Sequence, residues 1–208
     1  MSAGASMDFL RSFASVGYAY DSPRVTVLED SIKTEKMETN VTEDCKGAKL
    51  ADVVFIVDES GSIGTSNFRM VRTFLHRIVS SLDVSQKGVH VGVVTYSSMP
   101  TAHIYLNTFD DKNEILQFLN ILPYQGGGTN TGAALNFTRE EIFTEQKGRR
   151  KGVQQVAVVI TDGESDDNVT EAAAILRRDG VTLYAVGIEN ANKAELEKMV
   201  SYPSHKHV

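Results

Sequence analysis

Hydrophobic and polar positions divide this chain into two parts near residue 48. Residues 1–48 are polar and mixed in charge, with little periodicity apart from one expected strand at 24–28, and this composition predicts a linker or the end of a preceding module. In residues 49–208, short β-branched runs alternate with segments whose apolar residues recur every three or four positions. This alternation is typical of parallel strands joined by helical crossovers. The second part therefore predicts an α/β domain with an open, mostly parallel central sheet and helices on both faces.

The same pattern locates the individual elements. Two runs, 52–57 and 155–161, are apolar on both faces, as expected for central strands that are covered by helices on either side. The run at 89–96 is expected to pair with 103–106 as an edge hairpin. The full prediction has strands at 52–57, 89–96, 103–106, 155–161 and 181–188, helices at 67–82, around 115–122, 133–145, 169–178 and 193–200, and the start of another strand at 205–208.

Polar residues and glycine stand where the predicted helices begin and end. Asp110 or Asp111 can cap the helix around 115–122. Gly180 is suited to a left-handed terminus after the helix at 169–178. Asn192 and Glu195 match a capping box at the start of the last helix.

Three oxygen-rich segments follow or precede these elements. Asp58, Ser60 and Ser62 come directly after the first strand. Thr129 lies in a glycine-rich loop before a helix, residues 125–132, called the glycine loop below. Asp162 ends the strand after that helix. In open parallel sheets, ligands bind beyond the carboxyl ends of the strands, where the strand order reverses. The sequence therefore predicts that these five side chains lie together at that edge.

Two carboxylates and three hydroxyls, with no thiolate or imidazole, are the ligands of a hard divalent cation. Mg²⁺ fits best because it takes six oxygens and gives up its waters reluctantly, and Mn²⁺ could substitute. Such a site leaves a position open, which a carboxylate from a partner protein could fill. Taken singly, however, Ser and Asp after a strand more often serve turns and helix caps.

For the acidic residues and histidines outside this set of five, the sequence favours structural roles or a supporting role at the edge of the site. Glu59 is expected to face solvent. Glu164, with Asp166 and Asp167, is expected to make the rim of the site acidic, or else to cap the helix that starts near Val169. The histidines at 90 and 103 lie in strand patterns and are expected to be structural.

Enzyme motifs are incomplete in this chain. The glycine loop lacks the Gly-Lys-Ser/Thr ending of a P-loop, and residues 61–64 lack the three glycines of a dinucleotide fingerprint. A phosphotransferase with Asp58 as nucleophile would want a second acid two residues later, where this chain has Ser60. A serine hydrolase would need a nucleophile elbow, which is missing. These observations predict that the protein is not an enzyme.

Composition and charge exclude further classes. The net charge of -6 and the scattered basic residues argue against nucleic acid as a partner, and the basic cluster 147–151 is expected to be a solvated loop. No apolar run approaches the roughly 18 residues that span a bilayer. Cys45 is the single cysteine, so an internal disulfide is impossible. Sequons at Asn40, Asn136 and Asn168 hint at secretion, although the last two fall at or inside predicted helices.

The oxygen-rich segments resemble the metal-ion-dependent adhesion site of a von Willebrand factor type A domain. The resemblance rests on Asp58-x-Ser60-x-Ser62 after a hydrophobic strand, on residues 128–131 before a helix and on 161–163 after a second strand, and it covers roughly 50–208. It implies that the two serines bind the metal directly, and that the threonine and the second aspartate do so directly or through water. The metal ligands that it implies are Asp58, Ser60, Ser62, Thr129 and Asp162.

Residues 45–55 and 67–69 resemble, more narrowly, the modules of matrix proteins such as fibril-associated and type VI collagens and matrilins. In those modules a cysteine before the first strand is often paired with one after the last helix, and this chain lacks the second cysteine. The family's final strand and helix are also expected to follow residue 208. The resemblance thus implies a C-terminally truncated domain from a larger secreted protein.

The function that we expect is a non-enzymatic adhesion or assembly module of the extracellular matrix. It would bind matrix proteins such as collagens through Mg²⁺, with an acidic residue of the partner completing the metal's shell, and it would belong to a secreted, multidomain, possibly oligomeric protein without membrane insertion. Two alternatives stay open: a structural spacer with no metal-dependent ligand, and an intracellular scaffold module.

Overall fold

A five-stranded sheet forms the centre of the computed structural model, which describes residues 50–189 and 191–208. The strands are β1 (Ala51–Asp58), β2 (Val89–Tyr96), β3 (Pro100–Ile104), β4 (Gln154–Thr161) and β5 (Val181–Gly187). Their order across the sheet is β3-β2-β1-β4-β5. All neighbours are parallel except β3, which pairs antiparallel with β2 at one edge. The predicted open, mostly parallel sheet is confirmed. The strand expected at 24–28 and Cys45 lie outside the described residues.

Helices cover both faces of this sheet. Those of the described region are α1 (Gly64–Ser81), α2 (Lys112–Asn120), α3 (Thr131–Phe137), α4 (Val169–Arg178) and α5 (Lys193–Met199). The apolar stripes of α1 and α2 pack on one face of the sheet, while α3, α4 and α5 pack on the other. Among the described residues, no helix is long and apolar enough to cross a membrane.

The central strand β1 is buried along its whole length, which explains its nearly unbroken apolar sequence. Val53, Phe55 and Val57 point into the layer of α1 and α2, whereas Val54 and Ile56 point into the opposite layer. A rigid strand of this kind fixes the position of whatever follows its carboxyl end.

The predicted ends of several elements need correction. The helix expected at 133–145 is regular only to Phe137 and continues as a π-helical turn, Thr138–Ile142. Strand β3 begins at Pro100 rather than 103. The tail forms a short 3₁₀ turn, Ser204–Lys206, instead of a strand. This tail contacts β5 through a hydrogen bond from the Ala185 N–H to the His207 carbonyl, 2.8 Å, and through stacking of the His207 ring on Tyr184.

The basic cluster 147–151 was wrongly expected to be only a solvated loop. The guanidinium of Arg150 donates to the fully buried carboxylate of Asp52 at 2.7 Å, and its backbone N–H donates to the same carboxylate at 2.8 Å. The amide of Gln155 is a third donor, at 2.7 Å. This paired charge ties the loop before β4 to the start of β1, at the end of the sheet opposite the predicted metal site.

Candidate metal site

The predicted site lies where the strand order reverses, at the carboxyl ends of β1 and β4. Asp58 is the last residue of β1, and Asp162 directly follows β4. Thr129 lies in the loop before α3. The crossovers that follow β1 and β4 leave in opposite directions along the sheet, so a crevice opens between them.

Four of the five predicted residues form one chain of hydrogen bonds. The carboxylate of Asp58 accepts from the Ser60 N–H at 2.8 Å, and the Ser60 and Ser62 hydroxyl oxygens lie 3.0 Å apart. Ser62 Oγ donates to Asp162 Oδ1 at 3.0 Å. The other oxygen of Asp58 accepts from Thr161 Oγ1 at 2.7 Å. The structure thus brings the loop after β1, residues 59–63, into direct contact with the end of β4.

Thr129 joins this group through its backbone and its loop. Its N–H donates to Asp166 Oδ2 at 2.7 Å, and its carbonyl accepts from the Asp166 N–H at 2.8 Å. The Gly61 N–H donates to the Gly127 carbonyl at 2.9 Å, and this bond attaches the glycine loop to the loop after β1. Among the described residues, no hydrogen bond joins the Thr129 side chain to the other four predicted ligands.

Asp167 caps a different helix from the one expected. Its two carboxylate oxygens accept from the N–H groups of Gly132, at 2.6 Å, and Ala133, at 2.7 Å, so it caps α3. The helix α4 is capped by Asn168 instead. Glu164 lies exposed and accepts from the Asn192 amide.

The expected capping box of α5 is only half present. Asn192 caps the helix by accepting from the Ala194 N–H at 3.0 Å. Glu195 accepts from the Ser165 N–H at 2.7 Å and thus binds the loop after β4. The start of α5 therefore supports the same loop that contains Asp162.

Glu59 is buried rather than solvent-facing, so that expectation was wrong. Only 1% of its surface is exposed, and its carboxylate accepts from Thr95 Oγ1 at 3.0 Å and from the Gln125 N–H at 3.1 Å. His103 Nε2 lies 2.8 Å from Thr95 Oγ1. Glu59 therefore connects the end of β1 with β2 and with the glycine loop. The signal in the sequence was Thr95, a hydroxyl within the apolar run of β2 that needs a buried partner.

Burial raises the pKa of the Asp58 carboxyl above its usual range, because the hydrogen bonds from Ser60 and Thr161 only partly offset the loss of water. Burial also raises the pKa of Asp162, and the charge of the nearby Glu189 adds to this effect. Among the described residues, neither carboxylate forms a salt bridge with a cationic side chain. A divalent cation would supply the missing positive charge, and the donor set of carboxylate and hydroxyl oxygens suits Mg²⁺ or Mn²⁺.

Comparison with known proteins agrees with this architecture. The model of the von Willebrand factor type A domain family matches residues 52–208. The mouse collagen alpha-6(VI) chain is 44% identical over 168 residues, which are 80% of this chain and 7% of the collagen. Bovine matrilin-1 is 36% identical over 177 residues, which are 85% of this chain and 32% of matrilin-1. The chain thus spans a third or less of the length of these two relatives.

A similar solved structure is proximal thread matrix protein 1 from the mussel byssus, with a zinc-occupied metal-ion-dependent adhesion site. Its TM-score is 0.70 at 28% sequence identity, and the match covers 76% of this chain and 43% of the mussel protein. The corresponding fold in that protein therefore holds a metal ion.

Proposed function

Because this chain belongs to the von Willebrand factor type A domain family, we propose that it is a non-enzymatic adhesion or assembly module of the extracellular matrix. It binds protein partners through a divalent cation, Mg²⁺ in the first place, with Mn²⁺ able to substitute. The residues that hold the cation are Asp58, Ser60, Ser62, Thr129 and Asp162.

The observation that carries this proposal is the chain of contacts from the buried Asp58 through Ser60 and Ser62 to Asp162. These groups lie on the ends of two buried parallel strands, so their spacing is set before any ligand arrives. When bound, the cation supplies a positive charge that can accept a further oxygen ligand. These side chains would hold and orient that ion, and an acidic residue of the partner would complete its shell.

The relatives support a proposal for the class of partner. Collagen VI chains and matrilin-1 are extracellular matrix proteins, and their similarity to this chain supports secretion and a place in a larger multidomain protein. We therefore propose that the partners are matrix proteins such as collagens.

One observation favours a structural spacer as the second candidate. The carboxylates of Asp58 and Asp162 already accept hydrogen bonds within the protein, since Thr161 donates to Asp58 and Ser62 donates to Asp162. A module with such a self-satisfied site can fold and join its neighbours without any metal-dependent ligand.

A solid-phase binding assay on immobilised collagen VI and fibrillar collagens separates the two functions. The chain is applied with Mg²⁺, with EDTA and with EDTA followed by excess Mn²⁺, next to Asp162→Ala and to the control Glu171→Ala, which removes an exposed carboxylate on α4. The adhesion function predicts binding that EDTA abolishes, Mn²⁺ restores and Asp162→Ala lacks. Equal binding in EDTA, or none to any collagen, favours the spacer.

A further inference from the structure

Asn168, Val169 and Thr170 form a sequon between β4 and α4, at the rim of the metal site. Asn168 follows two aspartates that hold the neighbouring loop: Asp166 binds the Thr129 N–H, and Asp167 caps α3. Its carbonyl packs closely on α3, because a Cβ added at Gly132 would lie 2.6 Å from that oxygen. The backbone of Asn168 therefore lies against the start of α3, directly after the glycine loop.

The geometry of this sequon is compatible with a modified side chain. Asn168 is the N-cap of α4, with φ -82° and ψ 103°, and both Asn168 and Thr170 are exposed. The side chain uses its carbonyl oxygen, Oδ1, to accept from the Thr170 N–H at 3.0 Å. N-glycosylation attaches the sugar to the amide nitrogen, Nδ2, and leaves that oxygen unchanged. The helix cap therefore survives the modification.

The second sequon of the described region differs in this respect. Asn136 lies within α3, and its partner Thr138 is fully buried. The Thr138 hydroxyl donates to the Ala134 carbonyl at 2.8 Å inside the helix. Of these two sites, Asn168 alone lies in an exposed turn at a helix start, the setting that surface acceptors have.

We propose that Asn168 carries an N-linked glycan at the rim of the metal site. The inference rests on the extracellular location in the proposed function, because transfer takes place in the secretory pathway. The donor is a lipid-pyrophosphate-linked oligosaccharide. A bond forms between Nδ2 and C1 of the first sugar while the bond from C1 to the pyrophosphate oxygen breaks, and the amide nitrogen loses one proton. The lipid pyrophosphate leaves with the bonding electrons, and nothing is oxidised or reduced.

The test is expression of the whole 208-residue chain in mammalian cells behind a cleavable secretion leader, followed by intact mass and glycopeptide mapping. Four proteins are compared: wild type, Thr170→Val, Thr170→Ser and Asn168→Asp. Thr170→Val removes the sequon without touching the cap, and Thr170→Ser preserves it. Asn168→Asp removes the acceptor and preserves a good N-cap. Thermal melting of all four checks that each is folded.

The proposal predicts a glycan on the peptide containing Asn168 in wild type and Thr170→Ser, and its loss in the other two. Amidase removal of the glycan leaves aspartate at 168, and the melting temperature should then stay that of Asn168→Asp. A wild-type peptide that is wholly unmodified in folded, secreted protein overturns the proposal, wherever else glycan is found. Because the readout is glycan mass, this failure is distinguishable from a failure to bind Mg²⁺.

Discussion

Glu59 is a buried carboxylate that holds three segments together beside the candidate metal site. It bonds to β2 through Thr95 and to the glycine loop through the Gln125 N–H. Burial raises its pKa, and the two hydrogen bonds only partly offset this. A hydrogen-bonded group that is this deeply buried is costly to remove, because its partners are left without an acceptor.

Replacing Glu59 by alanine should therefore lower the free energy of unfolding by about 2–3 kcal/mol. It should also weaken Mg²⁺ binding, since the loop before Thr129 loses an anchor. Urea unfolding and calorimetry measure the two effects. Glu59→Gln, which retains one carbonyl acceptor, should fall between wild type and alanine. Stability equal to that of wild type in Glu59→Ala would show that the Thr95 and Gln125 contacts do not support the site.

His103 gives the same network a dependence on pH. Burial lowers the pKa of its imidazole, which lies 2.8 Å from the Thr95 hydroxyl and packs on the Phe118 ring. The unfolded state therefore takes up a proton first as the pH falls. The resulting stabilisation is complete above the unfolded pKa of about 6.5 and is lost as the pH falls from there through the lower folded pKa.

Urea unfolding at about pH 7.5 and pH 5.5, on either side of the unfolded pKa, tests this for wild type and His103→Gln. Wild type should lose more free energy of unfolding than the variant over this interval. The carboxyls with raised pKa, among them Glu59, act in the opposite direction in both proteins, so the difference between the proteins isolates the histidine. An equal change in both would contradict the assignment.

At the scale of elements, the short helix α3 positions the glycine loop through its first turn. Asp167 accepts from the Gly132 and Ala133 N–H groups, and its Oδ1 also accepts from Ser165 Oγ at 2.6 Å. These hydrogen bonds hold the loop after β4 against the start of α3. Thr129 lies just before α3, and Asp162 lies in the loop after β4. The hydrogen bonds of Asp167 therefore fix the position of Thr129 relative to Asp162.

Asp167→Ala should lower the free energy of unfolding by about 1–3 kcal/mol, because two helix N–H groups lose their acceptor. Asp167→Asn, which retains one acceptor oxygen, should cost less. Mg²⁺ affinity should fall in the same order, as measured by calorimetry at equal protein concentration. Asp179→Ala is a useful control. Asp179 is an exposed aspartate that pairs with Arg139, and it lies at the C-terminal end of α4, away from the loop after β4. Unchanged Mg²⁺ affinity in Asp167→Ala would show that the hydrogen bonds of Asp167 do not position the cation site.

Element prediction succeeded where burial alone sets the pattern. The strands β1 and β4 are apolar on both faces because helices cover both, and this reads directly from the sequence. The helix after Thr131 was predicted too long because its apolar periodicity continues through Ile142, where the backbone widens into a π-helical turn. Periodicity reports which side chains are buried, but it does not report the backbone hydrogen-bond pattern.

At the scale of the whole molecule, the two ends of the sheet hold different polar groups. The amino ends of β1 and β4 are joined by the paired charges of Asp52 and Arg150. The carboxyl ends of the same strands hold Asp58 and Asp162. In the part of the chain that the structure describes, neither of these aspartates forms a salt bridge with a basic side chain. One end is neutralised within the protein, whereas the other is suited to an external cation.

The location of the candidate site was predictable from the sequence, since motif spacing and strand alternation place three segments at one edge. The roles of the supporting residues Glu59 and Asp167 were not predictable in this way. Thr95 indicates that β2 needs a buried polar partner, but it does not identify that partner. The burial and the partners of Glu59 and Asp167 depend on contacts between segments that are distant in the chain. Single-sequence patterns describe local periodicity and so carry little information about such contacts.

The most direct test of the central claim is calorimetric titration of Mg²⁺, with thermal melting, on wild type, Asp162→Ala and the exposed-site control Glu171→Ala. The account predicts heat and stabilisation in wild type and control, with stabilisation reaching about 2.7 kcal/mol at a hundredfold excess over Kd. It predicts neither in Asp162→Ala. If wild type ignores millimolar Mg²⁺ and Mn²⁺, or if Asp162→Ala responds as wild type does, the cation site proposed at the ends of β1 and β4 is contradicted.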